Sequence, residues 1–334
     1  MTLASSVAST VISNGTILLF YQDPAGNIQL TSRDWNSSLW SPSTLVTRDA
    51  KLFTPLATIS SDTLSPIRLM YINNQQTLAD VECIGQPCSW QNGTLSQKNV
   101  VPFQNTSLAV PAYNCTNFDL FYQDTDSSLM VARYQADSSS RWNITEVGYR
   151  NFLLGSSLAA LDYDTTHQVR VYGQNLKVEA TEYMTSDNLA WSTGSFKYQV
   201  GPEKPLLAAS AINTTSLVSL HVFTIKNGQI EMTFHNGSAS WAPLTFNNQQ
   251  DFNSRIRTMN ITAISVVTLN SPQEASNLYF TNTQGQLWEL QMNPASGTWE
   301  PLNRTVLTDI VQPPPGPTGI SGLGIAFITS AVLA

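Results

Sequence analysis

Charged side chains are scarce in this sequence. Lys and Arg number 16 and Asp and Glu 23, so 12% of the 334 residues carry charge, about half the share usual in soluble chains. With a net charge of -7 and no Lys/Arg cluster, the chain lacks the footprint of a nucleic-acid binder and of a polybasic membrane contact. The only histidines, His167, His221 and His235, have no metal-ligand spacing, so neither metal nor cofactor is expected. Nucleophile elbow, His-Glu-x-x-His, phosphate loop and dinucleotide fingerprint are all missing. Asp124, Asp126 and Ser128 alternate as calcium ligands do, but the supporting Gly and distal Glu are absent, and a polar hairpin turn accounts for them better. The apolar stretch 323–334 is too short for a bilayer span and has no polar spacer ahead of it. It reads instead as a buried strand.

Cysteine is also rare, with three in all. Cys83 and Cys88 bracket IGQP, a short loop that a local disulfide can close, which leaves Cys115 over. Asn-x-Ser/Thr sequons begin at Asn14, Asn36, Asn92, Asn105, Asn114, Asn143, Asn213, Asn236, Asn260 and Asn303, where chance gives about six. MTLASSVAST has neither a basic n-region nor a long apolar core. The expectation is a glycosylated protein of the secretory pathway, read here as a mature form.

What is abundant is repetition. ILLFYQDPAGNIQLTSRDW is followed by Trp40, IRLMYINNQQTLADVEC by Trp90, and DLFYQDTDSSLMVARY by Trp142. QVRVYGQNLKVEA precedes Trp191, SLHVFTIKNGQIEMTF precedes Trp241, and NLYFTNTQGQLWELQM precedes Trp299. Successive tryptophans are 50, 52, 49, 50 and 58 residues apart. Ahead of each hairpin lies a strand of small residues, such as TPLATIS or PLLAASAI, suited to a crowded axis. Inner strand, hairpin and outer strand, repeated six times without helical periodicity, predict an all-β, six-bladed propeller of four-stranded antiparallel blades. The blades fall at 1–50, 51–102, 103–152, 153–201, 202–250 and 251–306 of one domain, with 307–334 a proline-rich segment and closing strand.

The repeat resembles that of the fungal fucose-binding lectins, whose blades read roughly Arg-x-Tyr-Tyr, turn, Ile-x-Glu, Trp. The resemblance implies sugar pockets between blades, where Arg and Glu hydrogen-bond hydroxyls and rings stack on the apolar sugar face. Taking each polar turn as centre places the Arg position directly opposite the Glu position. The pairs are then Leu18 with Leu30, Arg68 with Asp80, Asp119 with Val131, Arg170 with Val178, Leu220 with Met232, and Asn277 with Glu289. Only Arg68 and Asp80 keep both charges, and Arg170 has lost its partner unless Glu179 or Glu182 substitutes.

Such erosion suggests recruitment to more apolar ligands. Lectin-like propellers include fungal hetero-Diels-Alderases, which join a tropolone o-quinone methide to a humulene-type alkene, chemistry that asks mainly for orientation and one donor to a carbonyl. The leading expectation is a cofactor-independent pericyclase of that kind. Arg68, Arg170 and His221 are its candidate catalytic donors, His221 being read as facing Glu231. Trp288, Trp35 and Tyr71 would shape its pocket, with Trp35 and Trp288 sharing a surface between blades one and six. The alternative is a fucose-binding lectin with a site at Arg68, Asp80 and Trp90, and with Glu289 facing Asn277. Expected partners are small-molecule substrates or a fucosylated glycan, with room for a homodimer.

Overall fold

The computed structural model describes residues 6–307 apart from 13, 61–65, 86–87, 112–114, 149–150, 164–167, 187–189, 201–204, 214–217, 227–228, 237–239, 245–258, 269–275 and 294–297. The expected closing strand at 320–334 lies outside the described residues. Six antiparallel sheets follow one another along the chain, each built from consecutive strands. Blade one comprises Val7–Val11, Thr16–Gln22, Ile28–Asp34 and Thr44–Thr47, and blade four comprises Ala159–Tyr163, Gln168–Gln174, Glu179–Ser186 and Ala190–Gln199. Blade three has three full strands, its innermost reduced to a single bridge from Ala109 to Phe121. Helix is confined, among the described residues, to one turn at Leu95–Lys98.

Small residues on the inner strands let six backbones converge. Ala8, Ala57, Ala109, Ala159, Ala208 and Ser265 sit at equivalent places, facing Phe20, Met70, Phe121, Tyr172, Phe223 and Tyr279 on the second strands. All six line an axial cavity of about 120 Å³. Period-two alternation then gives each blade two buried faces. Ile17, Leu19 and Tyr21 pack toward blade six, and Leu18 and Phe20 toward blade two. The core is thus a ring of inter-blade layers.

The hairpins are fixed locally. Asp23, Asn73, Asp124, Asn175 and Asn282 each accept two backbone N–H groups through one side-chain oxygen, from residues two and four positions on. These are Asx turns. Asp124 therefore caps a turn, as the sequence suggested. One or two positions before strand three a residue has positive φ, at Gly26, Gln76, Ser127, Val178 and Gly285. Amide clasps join neighbours: Gln22 donates to Lys51 O and accepts from Phe53 N, while Gln123 accepts from Ser156 N. Blades six and one meet through Ser9 N donating to Ser265 Oγ at 3.0 Å.

Cys83 and Cys88 form the expected disulfide, and Cys115 is a buried thiol in the layer between blades two and three. No helix among the described residues is long and apolar enough to cross a membrane. Of the sequon asparagines, Asn14, Asn36, Asn92, Asn105, Asn143 and Asn260 are exposed and Asn236 is half-buried. Asn114 and the side chains of Asn213 and Asn303 lie outside the described residues.

Candidate functional site

Clefts between blades one and two, three and four, four and five, and six and one share a plan. The second and third strands of one blade supply the floor, and a tryptophan from the next blade closes the cleft edge-on. Trp90 packs on Phe20 at 5.8 Å, Trp191 on Phe121 at 5.6 Å, Trp241 on Tyr172 at 6.1 Å, and Trp40 on Tyr279 at 6.0 Å. Numbering each cleft by its first blade, the tryptophan of cleft two is Trp142, packed with Phe118 and Tyr134.

The strand register corrects the expected pairs. Arg68 faces Glu82, and Asp80 faces Met70. The arginine and the acid therefore meet diagonally, two residues out of register, which keeps both on one face. Cleft two holds Arg68 at 4% exposure and Asp80 at 2%. Arg68 Nη1 donates to Asp80 Oδ2 at 3.1 Å, and Nη2 bonds Glu82 and the Tyr134 hydroxyl, while its Cζ lies 4.2 Å from the Tyr134 ring centroid. Leu95 N donates to Asp80 Oδ1 at 2.8 Å. Burial pushes the Asp80 carboxyl up, against the opposing pull of Leu95 N–H and Arg68.

Cleft four retains its pair, through one of the two substitutes that the sequence offered for Val178. Arg170 faces Met184, and its Nη1 reaches Glu182 Oε1 at 2.6 Å. Glu182 is the substitute partner, and it also accepts from the Tyr172 hydroxyl at 3.2 Å and from Phe196 N at 3.3 Å. Val178 stands in the hairpin turn at φ 59°. Its left-handed backbone is unusual for a β-branched residue, which disguised the turn. Burial and the neighbouring carboxylate raise the Tyr172 hydroxyl well above its ordinary pKa. Unforeseen by the sequence, His235 packs 5.2 Å from Trp241, and its pKa is lowered by burial and then by Arg170. A glycine in the neighbouring strand or loop makes room for each acid, and Gly194 is the signal that singles out Glu182 over Glu179. A Cβ on Gly93 would fall 2.0 Å from Asp80 Oδ2, and one on Gly194 would fall 1.9 Å from Glu182 Oε2.

The remaining clefts differ. Cleft one is apolar: Leu18, Phe20 and Trp90 meet, with Leu30 packed beside them. In cleft three Asp119 is bound by Arg133 of its own blade, Nε to Oδ1 at 2.8 Å and Nη2 to Oδ2 at 3.0 Å. In cleft five the equivalent of Arg68 is His221, not Leu220, because Phe223 faces Ala208 and Met232. His221 faces Ser210 and Phe234, and Glu231 faces Thr224 instead. His221 is buried, Nε2 lies 3.0 Å from Ser219 Oγ, and burial lowers its pKa to about 4. Cleft six places Asn277 at the arginine position, donating to Glu289 at 2.6 Å, and Arg33 of blade one reaches the same carboxylate.

Three expected ring positions change. Tyr71 lies on the opposite face from Arg68, in the layer with blade one, and Trp90 belongs to cleft one. Trp35 packs in the layer between blades six and one, whereas Trp288 packs between blades five and six. They share no surface, since blade six stands between them. Among the described residues no cluster of acids, Cys and His could hold a metal.

No curated protein matches the chain. The fold is shared with AofleA from Arthrobotrys oligospora, 18% identical over 89% of this chain and 85% of that one at TM-score 0.76. A fucose-specific lectin from Aleuria aurantia is 20% identical over 90% of this chain and 94% of its own, TM-score 0.70. SapL1 lectin, solved with alpha methyl fucoside, is 16% identical over 90% and 95%, TM-score 0.72. At residues 2–299 the sequence matches the family described as fungal fucose-specific lectin. That match spans the blades and the clefts between them, and the chain belongs to the fungal fucose-specific lectin family.

Proposed function

We propose that the protein binds fucose or a closely similar deoxysugar in clefts two and four, where one blade supplies both guanidinium and carboxylate. The observation that carries this is a set of donors sealed in those clefts without an acceptor: Arg68 Nε and Trp142 Nε1 in cleft two, and Trp241 Nε1 in cleft four. A buried unmet donor costs about 1–3 kcal/mol, and a sugar hydroxyl or ring oxygen relieves it. Cleft one serves as an internal control. Leucines occupy the arginine and acid positions there, so the fold does not require charge at that place, and buried ion pairs seldom out-stabilise apolar packing. The solved complex of SapL1 with alpha methyl fucoside supports the ligand class.

Calorimetric titration with methyl α-L-fucoside tests the reading. Saturable binding is expected, reduced by Arg68→Ala and again by Arg170→Ala. Absence of saturable binding at millimolar sugar would end it. The disulfide and the exposed sequons support a secreted glycoprotein, which a mobility shift on enzymatic deglycosylation checks.

Cleft five favours a second reading. There the neutral His221 has an unpartnered Nδ1, Trp288 Nε1 is likewise unpartnered, and Phe223, Met232, Phe280 and Leu290 make the surroundings apolar. Two donors in an apolar cleft suit polarisation of a carbonyl in a hetero-Diels-Alder reaction. Humulenol incubated with an o-quinone methide precursor should then give an altered yield or stereochemistry that His221→Phe abolishes. Product identical to the buffer reaction refutes this reading.

A further inference from the structure

Cleft six has lost the arginine of its own blade, yet its sealed unpartnered groups include an acceptor as well as a donor, whereas the unpartnered arginine and tryptophan nitrogens of clefts two and four are donors alone. Arg33, on the third strand of blade one, enters from the far wall. Its Nη1 donates to Trp35 O at 3.0 Å and to Ser37 O at 2.6 Å, its Nη2 bonds Glu289 Oε1, and its Cζ lies 5.2 Å from the Trp40 ring centroid. The same Oε1 accepts from Asn277 Nδ2 at 2.6 Å and from the Tyr279 hydroxyl at 2.7 Å. Three donors therefore crowd one carboxylate oxygen, while Oε2 accepts from none among the described residues. Arg33 Nε and Asn277 Oδ1 are both sealed from solvent without a partner. Clefts two and four differ, since both oxygens of Asp80 and both of Glu182 are engaged.

The chemistry of these open groups defines what fits. Nε needs an acceptor, whereas Oδ1 and Oε2 need donors. An anion would meet the Glu289 carboxylate and a cation the Arg33 guanidinium, so a neutral ligand is required. Adjacent hydroxyls, each both donor and acceptor, match the set, and the half-buried Trp40 ring offers an apolar wall for C–H surface. We propose that cleft six is a third sugar site, binding a neutral vicinal diol, with its guanidinium supplied across the ring closure by Arg33. The proposal rests on the carbohydrate reading of clefts two and four and adds a site that the blade motif does not contain.

Equilibrium dialysis with labelled fucose counts the sites. Wild type should bind three sugars. Arg33→Lys, which keeps a cation near Glu289 but has no Nε, should lose one site or weaken it at least about tenfold, the effect of replacing a forked guanidinium by a point charge. The double variant Arg68→Ala, Arg170→Ala should retain one site, and adding Arg33→Lys should remove it. If the double variant is unstable, Arg33→Lys alone decides through the change from three sites to two. A double variant that folds and binds nothing, or an Arg33→Lys protein with unchanged affinity and stoichiometry, overturns the proposal and leaves clefts two and four standing. A wild type that binds no sugar removes both readings together.

Discussion

Substituting Gly194 by alanine tests the packing of cleft four. The new Cβ would fall 1.9 Å from Glu182 Oε2, 2.5 Å from Cδ and 2.7 Å from Cγ, where ordinary contact begins at 3.4 Å. The carboxylate has to retreat by roughly 1.5 Å, well beyond the give of a close-packed interior. That retreat takes Oε1 off Arg170 Nη1 and Oε2 off Phe196 N. Hydrogen bonds to charged groups contribute about 1.5–3 kcal/mol each, and an uncompensated buried charge costs about 3–5 kcal/mol. Alanine offsets about 0.5–1 kcal/mol of this by stiffening the strand. The net is a loss of roughly 2–4 kcal/mol, which for a chain this long lowers Tm by about 3–6 °C. Thermal unfolding followed by circular dichroism reads it. A general rule for glycine in a strand gives the opposite sign, so an unchanged or raised Tm refutes the steric argument. In Glu182→Ala the same change should cost almost nothing, because the obstructing group is gone.

Further outcomes follow from single residues. Val178→Gly removes left-handed strain from a β-branched residue and should stabilise the protein by about 1 kcal/mol after the entropic cost of glycine, seen as a higher urea midpoint. Arg133→Met leaves the fully buried Asp119 carboxylate without its forked partner and should destabilise by roughly 2–4 kcal/mol, the lower end reflecting the half-exposed arginine. His221 has a folded pKa lowered to about 4 from 6.5, so its neutral form stabilises the fold fully above pH 6.5 and that contribution is lost as pH falls toward 4. The loss approaches roughly 3 kcal/mol; denaturant titrations across this window should slope less in His221→Gln, and parallel slopes would count against the assignment.

The ring and its blades were readable because their causes are local and recur: a tryptophan every fifty or so residues, small residues at the axis, and polar turns. Pairing across each hairpin was less legible, because register depends on how many residues the turn absorbs. In blades one, two, three and six the left-handed residue at Gly26, Gln76, Ser127 or Gly285 lengthens the turn and moves the partner by two positions. An even shift keeps every side chain on its face, so the clefts were still assigned their correct residues. In blade five the pair Lys226 and Gln229 closes the hairpin, an odd shift relative to the expected centre, which exchanges Leu220 for His221. Blade four left the choice between Glu179 and Glu182 open because valine occupies the left-handed place and disguises the turn. Arg33 could not be found by any repeat, since it meets Glu289 only where the two ends of the ring join.

The clefts that carry charge between strands two and three or across the closure are the second, third, fourth and sixth, while the first and fifth are closed by apolar contacts. Apolar clusters nevertheless occupy every boundary between neighbouring blades, and the boundary between blades six and one adds polar bonds, Ser9 to Ser265 and Arg33 to Glu289. Water competes for polar contacts and not for oily ones, so thermal opening should begin at that closure, where the two blades are not consecutive in the chain. A ligand seated in cleft six then acts as a rivet across that joint, and sugar occupancy would stiffen the ring as a whole by the linkage of binding to stability.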